Sequence, residues 1–159
     1  MLFKNVNGYI TVRKSNKIYK EHNMKKNLLL NSEISYVISK MGHTDTIIIG
    51  DAGLPIPEGV ERIDLSISKG VPDFMPVLEA VISELEVEEI TIAEELENTS
   101  ENSKKIYHEI MELFEDKNIK INIISHEKFK EAVKKSKAVI RTGEFTPYAN
   151  IILQSGVVF

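Results

Sequence analysis

The sequence contains no cysteine, so disulfide bonds, thiolate nucleophiles and cysteine-bound zinc or iron–sulfur sites are excluded. Long apolar runs are also missing. No stretch approaches the roughly 20 residues that a helix needs to span a bilayer, and the first thirty residues lack the apolar block of a secretory signal. The sequence therefore predicts a soluble, cytoplasmic protein without a membrane partner.

Excess positive charge is absent too, since the net charge is −4 and the isoelectric point is about 5.6. Neutralising nucleic-acid phosphates requires clustered Lys and Arg, so a nucleic-acid partner is not expected. With 159 residues, of which 42% are hydrophobic, the chain is long enough for one globular domain. A small neutral substrate suits this composition better than an anionic one.

Familiar phosphate and metal motifs are not found. The glycine pattern after the first predicted strand, residues 50–53, lacks both G-x-G-x-x-G and G-K-[ST]. His126-Glu127 does not continue to the second histidine of H-E-x-x-H. We therefore expect neither a cofactor nor a metal. A metal site built from His43, Asp45, Asp51 and His126 stays open as an alternative at this point.

Residues 1–23 differ in kind from the rest of the chain. They carry five basic residues against one acidic residue, a balance of +4, which leaves −8 for residues 24–159. Residues 9–12 could form a short strand, and Met24 could serve as an alternative start. We interpret residues 1–23 as an N-terminal extension outside the fold. The alternative is a basic arm for an anionic partner, but aromatic interleaving is missing.

From Met24 onward, β-branched apolar runs alternate with helical periodicity. Ile34, Val37, Ile38 and Met41 share one helix face, with Asn31 or Ser32 as N-cap and Gly42 as a left-handed C-terminal residue. Strands are predicted near residues 46–50, 60–67, 90–93, 119–123, 138–140 and 151–153. Because parallel strands need crossover helices, residues 24–159 predict an α/β fold: a single layered domain whose largely parallel central sheet of about six strands is flanked by helices.

Ligands of such sheets collect beyond the carboxyl ends of the strands, which draws attention to Asp51 and His126. Each also has a structural interpretation: Asp51 could cap the following loop, and His126 could be an exposed residue of a helix's first turn. His43 could merely complement the dipole at a helix C-terminus. Residues 141–150 form a dense polar cluster that suits sugar hydroxyls, although a structured loop with Arg141 paired to Glu144 is the alternative.

Several strings of the sequence closely resemble the D-ribose pyranase family, which belongs with the sugar mutarotases. The resemblance runs from Met24 to Phe159, and it is specific at both ends and looser through residues 68–124. It rests on Leu30-Asn31-Ser32, Gly42-His43-Thr44-Asp45, the segment 51–57 (DAGLPIP), Ile63-Asp64-Leu65, Ser125-His126-Glu127 and the segment 139–150 (VIRTGEFTPYAN).

The resemblance implies an isomerase that interconverts the β-pyranose and β-furanose forms of free D-ribose without a cofactor. By position, His43 matches the catalytic proton donor, and the ribose-binding positions are Asp51, His126, Tyr148, Ala149 and Asn150. Ring-shaped homodecamers are implied as well. In the sister L-fucose mutarotases the corresponding strings read Asn-Phe-Pro and Tyr-Gly-Asn, so Gly53-Leu54-Pro55 and Tyr148-Ala149-Asn150 place this chain with the ribose branch.

Strand length adds a geometric expectation. His43 precedes the first predicted strand and Asp51 follows it, so about five extended residues, roughly 17 Å, should separate them. We therefore expect a site shared between subunits.

Three alternatives to a ribose isomerase stay open: a mutarotase for another sugar such as L-fucose, a non-catalytic ribose-binding module, and a metal-dependent hydrolase or lyase.

Overall fold

The computed structural model describes residues 25–115 and 117–159, together with the backbone of two short strands near the N-terminus. Those two strands, β1 (Phe3–Lys4) and β2 (Ile10–Thr11), pair antiparallel. The strand expected around residues 9–12 is thus a two-residue strand. The prediction that residues 1–23 lie outside the fold otherwise concerns residues that the structure does not describe.

A six-stranded mixed sheet organises the described part of the chain. Its strands stand in the order β4-β7-β3-β8-β5-β6. Five of them run parallel, and β8 is antiparallel to both of its neighbours, β3 and β5. The strand bounds are β3 Thr46–Gly50, β4 Glu61–Asp64, β5 Val87–Ala93, β6 Lys120–Ile124, β7 Ala138–Arg141 and β8 Ile151–Ser155.

Five helices lie within the described residues, and α1 precedes the first strand of the six-stranded sheet. They are α1 Ser32–Lys40, α2 Phe74–Ile82, α3 Glu95–Asn98, α4 Glu101–Phe114 and α5 His126–Val133. Asn31 begins α1 as predicted, because its Oδ1 accepts the backbone N–H of Ile34 at 2.9 Å.

Apolar side chains cover the two faces of the sheet unequally. On one face the strands pack against α1, α2 and α4, with Phe74, Leu78 and Ile110 fully buried. On the other face a smaller cluster joins Ile48 and Val139 to Phe129 of α5 and to Leu54 of the loop after β3. Helix α5 and that loop thereby fix the position of the residues that follow β3 and β6.

The predicted architecture is confirmed: one layered α/β domain with a largely parallel sheet of six strands. One local prediction is wrong. Gly42 does not adopt the left-handed conformation, because α1 ends at Met41 in an extended conformation and the positive φ of 68° falls on Thr44. Within residues 25–115 and 117–159, no helix combines the length and apolarity needed to cross a bilayer.

Gly143 offers a test of this packing. A Cβ at Gly143 would lie 2.5 Å from the carbonyl oxygen of Ser68 and 2.6 Å from the backbone nitrogen of Val71. Because these neighbours are backbone atoms, Gly143→Ala should lower the free energy of unfolding by about 1–3 kcal/mol. Denaturant unfolding measures the loss. Gly42→Ala is the matched control, since its Cβ would meet nothing closer than 3.8 Å; equal stability of the two variants would contradict the expectation.

Candidate active site

A pocket of about 500 Å³ opens at the carboxyl edge of the parallel strands. Three segments of the chain build it: the loop after β3, the start of α5 after β6, and the connection between β7 and β8. Its lining is Asp51, Ala52, Gly53, Leu54, Pro55, His126, Arg141, Glu144, Phe145, Pro147 and Tyr148. The candidates that the sequence placed after two separate strands, Asp51 and His126, therefore meet around one cavity.

Asp51 is held by a reciprocal pair of hydrogen bonds with Asn150, which lies 99 positions along the chain. The backbone N–H of Asp51 donates to Asn150 Oδ1 at 2.9 Å, and Asn150 Nδ2 donates to Asp51 Oδ2 at 2.9 Å. Asn150 is fully buried, as is Ala149 beside it. Neither residue lines the pocket, so within this chain they support its wall from behind.

The carboxylate of Asp51 is partly withdrawn from water. Burial raises the pKa of Asp51, while hydrogen bonds from Gly53 and Asn150 draw it partly back. The Gly53 N–H donates to Oδ1 at 2.8 Å. With most of its bonding capacity directed at fixed partners, the carboxylate is pre-oriented to accept a hydrogen bond from a ligand hydroxyl in the pocket.

His126 stands at the N-terminus of α5 between two aromatic rings. Its imidazole lies edge-on to Tyr148, with ring centroids 4.9 Å apart, and stacks on Phe129 at 6.4 Å. Its backbone N–H donates to both carboxylate oxygens of Glu95, at 3.0 and 2.9 Å. Among the described residues, the buried Nδ1 has no hydrogen-bond partner. The hydrogen-bonding capacity of Nδ1 is therefore unused among these residues.

Tyr148 takes a left-handed backbone conformation, with φ of 66°. This conformation is uncommon for a residue with a bulky side chain. It is held by the turn in which the N–H of Asn150 donates to the Tyr148 carbonyl at 2.7 Å. The turn lets Tyr148 face the pocket while the next two residues turn inward toward β8.

The polar connection between β7 and β8 is ordered differently from the predicted alternative. Arg141 does not pair with Glu144: its Nη1 lies 2.9 Å from Asp64 Oδ2, and its Nε donates to the Ala52 carbonyl at 3.0 Å. Glu144 instead accepts the backbone N–H groups of Phe145 and Thr146, at 3.0 and 2.8 Å. Arg141 thus ties the loop after β3 to the edge strand β4.

His43 lies at the opposite edge of the sheet from this pocket. It precedes β3, whereas Asp51 follows that strand, so the strand's five residues separate them by roughly 17 Å. The His43 ring is exposed, and its Nε2 lies 2.9 Å from Glu88 Oε2. Within one chain, therefore, Asp51, His126 and Tyr148 come together and His43 does not join them.

Within the described ranges, no group of three or more His, Asp or Glu side chains is arranged to hold a metal ion.

A larger open groove of about 1010 Å³ runs along β6 and α5. Its lining includes one internal ion pair, Lys134–Glu131 at 2.7 Å, and Glu89, which pairs with Lys120 outside the groove at 2.8 Å.

Sequence reasoning overlooked Glu95 and Glu88. Glu95 follows the carboxyl end of β5 as Asp51 follows β3, so the same strand-end rule points to it. Glu88 gave no comparable signal, because its orientation depends on an irregularity within β5 that side-chain patterns do not reveal.

The fold and pocket define a small α/β protein with a cavity of mixed polar and apolar lining at the strand ends, and comparison with known proteins specifies it further. The sequence profile of the RbsD / FucU transport protein family matches residues 24–158. The chain belongs to this family, which confirms the resemblance found in the sequence. A protein of Clostridium perfringens named D-ribose pyranase is 58% identical over 136 residues, which is 86% of this chain and 100% of that relative.

Two solved structures share the architecture. Bacillus subtilis RbsD complexed with D-ribose superposes with a TM-score of 0.79 at 45% identity, covering 86% of this chain and all of that chain. The fucose mutarotase of Streptococcus pneumoniae in complex with L-fucose gives a TM-score of 0.66 at 25% identity, covering 81% of this chain and 94% of that one. Both structures carry a monosaccharide.

The raised pKa of Asp51 leads to a pH-dependent prediction. The folded chain binds a proton on Asp51 more tightly than the unfolded chain does, so ionised Asp51 lowers stability above the raised pKa. The free energy of unfolding of the wild type, minus that of Asp51→Asn, should therefore rise as the pH falls from that pKa toward the ordinary aspartate value. Chemical denaturation at several pH values measures it. A difference that stays constant or falls on acidification would contradict the prediction.

Proposed function

We propose that this chain is an isomerase that interconverts the β-pyranose and β-furanose forms of free D-ribose. The observation that carries the proposal is the convergence of Asp51, His126 and Tyr148 around one pocket at the strand ends. This set offers a carboxylate acceptor, an imidazole and a phenol to a polyhydroxylated ligand. The choice of ribose follows the D-ribose pyranase of Clostridium perfringens, which this chain matches over that relative's full length.

The reaction needs only proton transfers. A pyranose is a hemiacetal, and its ring opens when one group takes the proton of the anomeric hydroxyl while another protonates the ring oxygen as its bond to C1 breaks. The aldehyde then recloses when O4 attacks C1 and its proton is passed back to the former carbonyl oxygen. The sugar gains or loses no electrons and transfers no chemical group to another molecule. General acid–base catalysis of such steps contributes roughly 10²–10⁴-fold.

Each predicted site residue has a role in this proposal. His43 is the proton donor, since an imidazole exchanges protons readily near neutral pH. Asp51 and His126 bind sugar hydroxyls and position the anomeric centre, and Tyr148 forms a wall of the pocket. Ala149 and Asn150 belong to the binding set through the turn that presents Tyr148 and through the hydrogen bonds that fix Asp51.

The separation of His43 from the pocket carries a proposal about assembly. If one pentose is to meet both His43 and Asp51, the histidine must come from a neighbouring copy of the chain. We therefore propose a homo-oligomer, a ring of the decameric kind that the resemblance implies, in which His43 of one subunit faces Asp51 and His126 of the next. Oligomerisation is then a condition for activity.

Two further points complete the proposal. The cytoplasm is the proposed location, because a sugar that has been taken up is met there in free form. Residues 1–23 are proposed to be an extension that the reaction does not need, in keeping with the match of the family profile to residues 24–158.

Exchange NMR on D-ribose tests the enzyme and the role of His43 together. The wild type should accelerate exchange between the pyranose and furanose anomeric signals, and His43→Ala should lose about 10²–10⁴-fold of that acceleration while still binding ribose. His108→Ala is the matched control, because His108 is exposed on α4 and belongs neither to the pocket lining nor to the His43–Glu88 pair. Binding of ribose without any acceleration by the wild type would identify a sugar-binding module instead.

Mixing two inactive variants tests whether the site is shared. His43→Ala retains Asp51, and Asp51→Ala retains His43, so randomly mixed oligomers contain intact composite sites at about a quarter of positions. We expect co-refolded equal mixtures to recover about that fraction of wild-type exchange activity, whereas each variant alone stays inactive. A mixture as inactive as its components, with mixed oligomers verified by native mass spectrometry, would show that each site lies within one chain.

A further inference from the structure

We infer that Glu88 is a positioning residue for His43: held by Gln154, its carboxylate fixes the imidazole so that Nδ1 is the nitrogen that exchanges protons with the sugar. The geometry is a relay of two hydrogen bonds. Gln154 Nε2 donates to Glu88 Oε1 at 2.9 Å, and His43 Nε2 lies 2.9 Å from Glu88 Oε2. The inference rests on the proposed function, in which His43 is the proton donor.

An irregularity in β5 directs Glu88 toward these partners. Opposite β8, Val87 pairs with Ser155 and Glu89 pairs with Gln154, so Glu88 is the additional residue of a β-bulge. Bulges re-aim side chains, and they are frequent next to active sites. Here the bulge brings the Glu88 carboxylate to the edge of the sheet where His43 precedes β3, while Glu89 contacts Lys120 and Asn122 instead.

The backbone around the relay is closely packed. The N–H of Gly156 donates to the Glu86 carbonyl at 3.0 Å, and the N–H of Thr44 donates to the Ser155 carbonyl at 2.9 Å. A Cβ on Gly156 would stand 3.2 Å from the Cβ of Glu88. The segments that carry His43, Glu88 and Gln154 are therefore joined through β8, which limits the positions that the imidazole can take.

The charge state of Glu88 determines which ring nitrogen carries a proton. Hydrogen bonds from Gln154 and then from His43 lower the pKa of Glu88, so it is a carboxylate at neutral pH. A carboxylate only accepts hydrogen bonds, so His43 must donate from Nε2 in both its neutral and its protonated form. Nδ1 then alternates between acceptor and donor, as ring opening and reclosure require.

Glu88→Ala tests the relay, with Glu89→Ala as the matched control on the adjacent residue. In wild type, the proton on His43 Nε2 should be visible by NMR at low temperature, because its bond to a carboxylate slows exchange with water; His43→Ala assigns the signal. Glu88→Ala should remove this signal and lower kcat for ring exchange about 10-fold or more, with KM for ribose within about twofold. Glu89→Ala should keep both the signal and kcat.

A second variant still tests the inference if Glu88→Ala folds or assembles poorly. Glu88→Gln retains an oxygen that accepts from Nε2, so it should keep the proton signal and lose less of kcat than Glu88→Ala does. Wild-type kcat in Glu88→Ala, or an unchanged His43 proton signal there, would overturn the inference while leaving the isomerase assignment intact. An inactive wild type would instead overturn the proposed function, and with it the role of Glu88.

Discussion

The antiparallel course of β8 is the constraint on which both ends of the sheet depend. Only nine residues, 142–150, connect β7 to β8, and a parallel return needs a crossover of a dozen or more. The chain therefore turns back at once. This places Asn150, at the start of β8, beside Asp51 at the carboxyl edge, and it places Gln154, near the end of β8, beside Glu88 at the opposite edge. One strand thus buttresses the ligand pocket and the surroundings of His43.

Much of the fold could be predicted from local patterns, and the reasons are physical. The run Ile47-Ile48-Ile49 is β-branched and apolar throughout, as a strand buried on both faces must be, and all three residues are fully buried. Asn31 could be predicted as a cap because its partner lies three residues away. The left-handed residue after α1 was wrongly assigned to Gly42, because Thr44 adopts the positive φ where the chain bonds to Ser155. Ser155 lies more than a hundred residues away in the sequence.

The sequence predicted which residues belong to the candidate site better than it predicted which residues they contact. The strand-end rule selected Asp51 and His126, and both line the pocket. Pairing was harder to predict. The structural alternative paired Arg141 with Glu144, three positions away in the sequence. Its partner is instead Asp64 on the adjacent strand β4, where Asp64 and Arg141 are directly in register. The Glu88 relay depends on a bulge, and its occurrence is set by strand register rather than by residue type.

If the proposed site is shared between subunits, the position of His43 and of the pocket at opposite edges of the sheet has a consequence for symmetry. In that arrangement, the histidine edge of one subunit would meet the pocket edge of the next, so each contact would join unlike edges. An open row of subunits would end with an unmatched histidine edge on one side and an unmatched pocket on the other. Closed point-group symmetry leaves neither, so the number of complete shared sites equals the number of subunits only when the assembly closes on itself.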